Sequence, residues 1–149
     1  MTLKQKIYNH YLQAIKDRVQ QLQKILADLK ESASNETKST AGDKHETALA
    51  MLQIEQANTG GQLEVALSHQ QAIEKINPSL HTSVAVNGSL IKTSRGYLFL
   101  SVAMGKAIVD GIPVMALSQQ SPLGKQLTGL RSGNTATING FVYTIEEVE

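Results

Sequence analysis

The chain contains no cysteine and no tryptophan. Without thiols it cannot build a disulfide scaffold, a thiolate nucleophile or a cysteine-based zinc site, and that composition suits a reducing cytoplasm. No apolar run is long enough to span a bilayer, and the opening residues Met1 to Tyr8 have no apolar signal core. A soluble, cytoplasmic protein with no membrane partner is expected. Charge of one sign is also scarce. The formal net charge is +1, so no global basic field drives nonspecific nucleic-acid binding, and sequence-specific DNA binding is not expected. What remains is ordinary globular composition: 149 residues, 41% of them hydrophobic, enough for one medium domain or two small ones.

Charge is unevenly placed. Residues 1–30 carry six Lys and Arg against two Asp, an excess of +4, whereas residues 31–64 carry two Lys against six acids, −4. Two solvated helix faces that complement each other are the plain reading. Neither Gly nor Pro occurs between Leu3 and Lys30. There Tyr8, Leu12, Ile15, Val19, Leu22, Leu26 and Leu29 alternate four and three apart, a heptad seam on one helix stripe. A second helical stretch runs from about Glu46 to Ile76 with a looser apolar set: Leu49, Leu52, Leu63, Ala66 or Leu67, Ile73 and Ile76. Gly60 and Gly61 interrupt it, as a kink or as a site of close helix approach. Asn77-Pro78 ends it, because proline disfavours the α region for the residue before it. Two such helices predict an antiparallel coiled-coil hairpin over residues 1–77. Its tip, near 32–47, opens with Ser32 to Gly42, mostly cap and turn formers.

After Pro78 the period becomes two. Short strands are predicted at Val84 to Val86, Leu90-Ile91, Tyr97 to Val102, Ile108-Val109, Val114 to Leu117, Thr135 to Ile138 and Phe141 to Val148. Asn87-Gly88, Asp110-Gly111, Gly133-Asn134 and Asn139-Gly140 supply turns. Between strands, Ser121 to Gly129 reads as a brief helix with Ser121 as N-cap, Pro122 first, and Gly129 as the stop. Leu123 and Leu127 share its inner face. The fold class is therefore α+β: a helical hairpin (1–77), then a small antiparallel β domain with one short helix (78–149).

Two stretches resemble a known family. Gly42-Asp43-Lys44-His45-Glu46-Thr47 resembles the Gly-Asp-x-x-Glu-Asn tip of the GreA/GreB transcript cleavage factors, with Thr47 where the family has Asn. Ser121-Pro122-Leu123-Gly124-Lys125-Gln126-Leu127-Thr128-Gly129, followed by Gly133-Asn134 and Tyr143-Thr144-Ile145, resembles the family's C-terminal signature. The resemblance implies an FKBP-like second domain that docks at the rim of the RNA polymerase secondary channel, while the hairpin enters that channel. It implies that Asp43 and Glu46 are tip acids that assist a polymerase-bound magnesium ion as the backtracked RNA 3′ end is cut. Ser121, Pro122, Leu123 and Gly124 would then be partner-binding. The chain would be an accessory factor rather than an enzyme, monomeric, with no cofactor of its own beyond magnesium shared with the polymerase.

The residues themselves are compatible with that chemistry. Two-metal RNA hydrolysis needs hard oxygen ligands. Acids three apart at a helix start share a face and suit its dipole. A capping box, Asp43 as N-cap and Glu46 as its partner, explains the same pair. His45 reads as an exposed tip histidine rather than part of a metal cluster. Lys16, Arg18, Lys24 and Lys30 read as solvated helix face, with an RNA-facing stripe as the alternative. Competing functions are a non-cleaving secondary-channel regulator, a coiled-coil adaptor or chaperone, and a prolyl isomerase. The adaptor would need an apolar tip. The isomerase would need an aromatic pocket, and the second half offers only Tyr97, Phe99, Phe141 and Tyr143.

Overall fold

The computed structural model describes the backbone of residues 1–37 and 42–149 and the side chains of residues 1–36 and 45–149. It is an α+β chain: a pair of long helices, then a six-stranded sheet with one short helix. Contacts divide it into two compact units, residues 14–70 and residues 1–13 with 71–149. A cut at 77/78 would instead leave both ends of the hairpin outside the sheet unit.

In the first unit, α1 (Leu3–Thr37) and α2 (Gly42–Glu74) run antiparallel. Gln56 Nε2 donates to the Leu29 carbonyl at 3.4 Å, and Arg18 donates to Gln62 at 2.8 Å. The buried or half-buried residues of α1 from Ile15 onward are Val19, Leu22, Leu26, Leu29, Ala33 and Glu36. This heptad seam carries the helix through Ser32 to Glu36, where cap-forming composition predicts a break. Packing against α2 outweighs propensities of a few tenths of a kcal/mol per residue. At about 1.5 Å per residue, each helix is roughly 50 Å long.

The seam of α2 is stricter than its apolar residues suggest. His45, Leu49, Leu52, Gln56, Thr59, Leu63, Ala66, Gln70 and Ile73 are each buried or half-buried. Polar Gln56 and Thr59 fill the interval where no apolar residue stands. Gly60 and Gly61 neither kink nor interrupt the helix. A Cβ at either would meet nothing within 4 Å, so they mark no close helix approach. Substituting Ala at both should therefore raise hairpin stability by about 1 kcal/mol per site, through helix propensity alone. Circular dichroism melts of the single and double variants check this; a loss of stability would mean that the space is occupied after all.

In the second unit the sheet order is β3-β4-β2-β1-β6-β5. The strands are β1 (Leu90–Thr93), β2 (Gly96–Leu100), β3 (Gly105–Val109), β4 (Ile112–Leu117), β5 (Thr135–Ile138) and β6 (Phe141–Val148). Every pair is antiparallel except β2 with β4, which align parallel from Tyr97 with Val114 to Leu100 with Leu117. The β3–β4 hairpin places its second strand against β2 and leaves β3 at the edge. Two connections are tight turns with left-handed backbone at both centres: Asp110 and Gly111 (φ 51° and 75°), and Asn139 and Gly140 (51° and 79°). That matches the twist of the flanking strands. Val84 to Val86 is not a strand. Val84 forms an isolated bridge to Arg131, while Ala85 exchanges backbone bonds with Gly129 and Leu130.

Both sheet faces bury side chains, so β2 is apolar on each side. Ile91, Leu98, Leu100, Leu117 and Ile145 form a core with Leu127 of α3 (Pro122–Leu127). On the opposite face Phe99 lies beside Leu90 and Ala116 in register. It meets the start of α1: the Tyr11 ring lies 6.2 Å from that of Phe99, and Tyr11 donates to the Gly105 carbonyl at 2.7 Å. Burial raises the Tyr11 hydroxyl pKa and keeps it a donor. Here Ile7 and Tyr11 are the buried positions and Tyr8 and Leu12 only half-buried. The seam extrapolated back from Ile15 does not hold, because the sheet rather than α2 selects the buried face.

Candidate functional site at the hairpin tip

The tip is built by the ends of the two seams. Glu36, last seam position of α1 among the described side chains, faces His45, the first of α2. Their Oε1 and Nδ1 atoms lie 3.4 Å apart, with both side chains half-buried. That separation permits charge attraction if the imidazole is protonated. The alignment makes no hydrogen bond, and Nδ1 is buried without one. His45 is thus not the exposed tip histidine its polar surroundings suggest. It belongs to the helix–helix seam, and its position seven residues before Leu52 is the signal that placed it there.

Glu46 follows the seam by one residue, about 100° around the helix, and is exposed. It has no ion pair with any of the described side chains. Asp43 sits in the first turn of α2, one residue after its start at Gly42; its side chain lies outside the described residues, as does the tip segment 38–41. On the backbone, positions 43 and 46 are one helical turn apart and share a face. Among the described residues no group of three His, Cys, Asp or Glu could hold a metal ion. Glu46 offers one hard carboxylate to solvent. That fits a magnesium ion only as part of a coordination shell completed elsewhere.

Along the hairpin, two of the four cations are engaged locally. Arg18 bonds Gln21 and Gln62, and Lys24 pairs with Asp28 at 3.3 Å one turn away. These are exposed helix-surface contacts of the kind worth a few tenths of a kcal/mol.

The segment Ser121 to Gly124 has a clear local purpose in the sheet unit. Ser121 caps α3: its Oγ accepts from the Gly124 amide at 3.0 Å and donates to the Ser118 carbonyl at 2.6 Å. Pro122 opens the helix and is exposed; Leu123 is half-buried against the core. Gly124 is buried against the Ser118 backbone, where a Cβ would stand 2.0 Å from the carbonyl oxygen. Of the four residues, Pro122 alone is exposed enough to offer a full side chain to a partner.

One surface had no signal in the sequence. Tyr97, Phe141 and Tyr143, three of the four aromatics of the second half, come together with Arg95, Leu98 and Met115 in one open groove of about 670 Å³. They lie on strands that the sheet order, not the sequence, makes neighbours.

No family model matches the chain, and no curated protein does. Among solved structures it is similar to the crystal structure of the GreA factor homolog 1 (Gfh1) protein of Thermus thermophilus. Identity is 19%, the alignment covers 95% of this chain and 92% of that chain, and the TM-score is 0.34. It is also similar to a structure of the transcription factor Gfh1, at 19% identity over 95% of this chain and 90% of that chain, with a TM-score of 0.31.

Proposed function

We propose that this protein is an accessory factor of RNA polymerase whose hairpin reaches through the secondary channel and whose tip acids, Asp43 and Glu46, assist hydrolysis of backtracked RNA. The observation that carries the reading is an exposed Glu46 one turn from Asp43 at the start of α2, beside the turn of a two-helix arm roughly 50 Å long. An arm of that length can carry two carboxylates into a deep channel. The motif resemblance at both the tip and Ser121 to Gly129 supplies the partner.

A magnesium ion shared with the polymerase would provide the Lewis acid and the activated water. This chain's part is to present oxygen ligands. The helix holds the two acids on one face, and its positive N-terminal end favours their ionised form. Glu46 is free of the seam, so it can turn toward a metal without disturbing helix packing. Other ligands come from the polymerase, the nascent RNA 3′ end enters only within that complex, and the isolated factor has no tight metal site of its own. A cytoplasmic, monomeric protein fits this role.

A second reading keeps the channel and omits the cutting. It is favoured by Thr47 in place of the family's Asn and by the Glu36–His45 contact, which takes one tip carboxylate into the seam.

Stalled, backtracked elongation complexes from the source organism, given this protein, should yield shortened RNA. Asp43→Ala with Glu46→Ala should lower the rate by about 100-fold or more, as loss of a metal-positioning group does. Binding without cleavage selects the second reading. Absence of binding defeats both.

A further inference from the structure

One sheet face takes Tyr11 against Phe99. On the other, α3 is only six residues long and packs over β5, where Leu127 and Ala136 are buried together. Toward β2, β4 and β3 that face carries no covering element of its own unit. It forms the open groove of about 670 Å³. Strand register puts Leu98, Met115 and Lys106 side by side on this face. The apolar rims stay in solvent: Ile108 on β3 is 69% exposed and Phe141 on β6 52%. Both charged lining residues are cations, and no acid lines the groove. Arg95 is held in place, its guanidinium 4.8 Å over the Phe141 ring and its Nε donating to the Val142 carbonyl at 2.9 Å. Neither Arg95 nor Lys106 has an ion pair among the described residues.

We propose that this groove is a docking site for an amphipathic helix of a protein partner. That helix would set two or three apolar side chains on Leu98 and Met115 and carboxylates against Arg95 and Lys106. Charge sets the second requirement: two unpaired cations flanking an apolar floor select an acidic partner and penalise a basic one. Width sets the first. The rims stand on β3 and β6, four steps apart in the sheet, about 19 Å at ~4.8 Å per step. A helix is about 10–12 Å across with its side chains and fills such a trough, whereas one extended strand leaves much of the floor wet. The short α3 covers its own end of the same face, and a partner helix would continue that layer.

The inference does not rest on the tip reading, and the two assays are independent. Two fluorescent stapled helices of about four turns, identical in their Leu and Phe stripe, would carry either Glu or Lys beside it. They would be titrated into the full-length protein with amide NMR as the map. The Glu helix should bind about tenfold or more tightly than the Lys helix and perturb Leu98, Met115 and Tyr143. Lys106→Glu and Ile108→Asp, both at exposed positions, should each weaken it several-fold with an unchanged melt. Equal binding of the two peptides, or perturbations confined to other surfaces, would overturn the proposal. So would binding of anilinonaphthalene sulfonate alone, which would make the groove a site for free apolar anions. Self-association abolished by Ile108→Asp would make a second copy of this chain the occupant and overturn it too.

Discussion

Gly124→Ala should destabilise the sheet unit by about 3 kcal/mol or more, although it adds one methyl group to a helix and helix propensity alone favours Ala. The new Cβ would stand 2.0 Å from the Ser118 carbonyl oxygen and 2.8 Å from the Gln119 Cα. Backbone cannot yield as a flexible side chain does. That carbonyl is also fixed, accepting from the Ser121 amide at 3.0 Å and from the Ser121 hydroxyl at 2.6 Å. Relief would require breaking the Ser121 cap or lifting α3 away from Leu127, which is fully buried. For a unit of about 90 residues, such a loss lowers the melting midpoint by at least ~12 °C. Near-ultraviolet circular dichroism, which reports the tyrosines of this unit, would follow it. An exposed neighbour, Lys125→Ala, should leave the midpoint within a degree or two. If Gly124→Ala melts like the parent, the close approach of α3 to the 118–119 backbone is wrong. The result also bears on function: a Gly124 variant that no longer binds polymerase says nothing about contact, because its fold is damaged. Pro122, exposed at the same helix start, is the position at which a contact can be tested.

Local rules read the elements of this protein well, and their failures share one cause. Turn chemistry was legible at Asp110-Gly111 and Asn139-Gly140, because those residue types are needed wherever two strands meet in two residues. Ser121, Pro122 and Gly129 announced α3 for the same kind of reason. The heptad from Ile15 to Leu29 was legible because one partner, α2, reads it throughout. Backward from Ile15 the partner changes, and Ile7 and Tyr11 replace Tyr8 and Leu12 as buried positions. In α2, Gln56 and Thr59 occupy seam positions that an apolar template skips, and His45 was misplaced for the same reason. Ser32 to Glu36 is helical because packing supplies what propensity lacks. The parallel alignment of β2 with β4, and the groove it helps to form, depend on which strands become neighbours. No window of sequence contains that information. At the candidate site, the positions of Asp43 and Glu46 were legible as a motif, whereas the Glu36–His45 contact required the register of the two helices.

Phe99→Ala should cost about 3–5 kcal/mol, and Phe141→Ala much less than half as much, although both are strand phenylalanines flanked by apolar residues. Phe99 is fully buried and the largest side chain so enclosed; Phe141 is 52% exposed. Truncating Phe99 removes the ring that meets Tyr11 at 6.2 Å and leaves a cavity between the sheet and the start of α1. Leu90 and Ala116 sit beside it in register and are too constrained by strand pairing to close the gap. The aromatic pair adds about 0.5–1.5 kcal/mol beyond the transfer of apolar area. Truncating Phe141 uncovers one face of Arg95 and loses a cation–π contact of about 0.5–1 kcal/mol at an exposed site. Urea titration of the two variants, followed by tyrosine fluorescence, measures the contrast. Similar losses would mean that Phe141 is covered in the folded protein. The groove would then be closed by this chain itself rather than open to a partner, so the same pair of variants that tests the core also tests the docking surface.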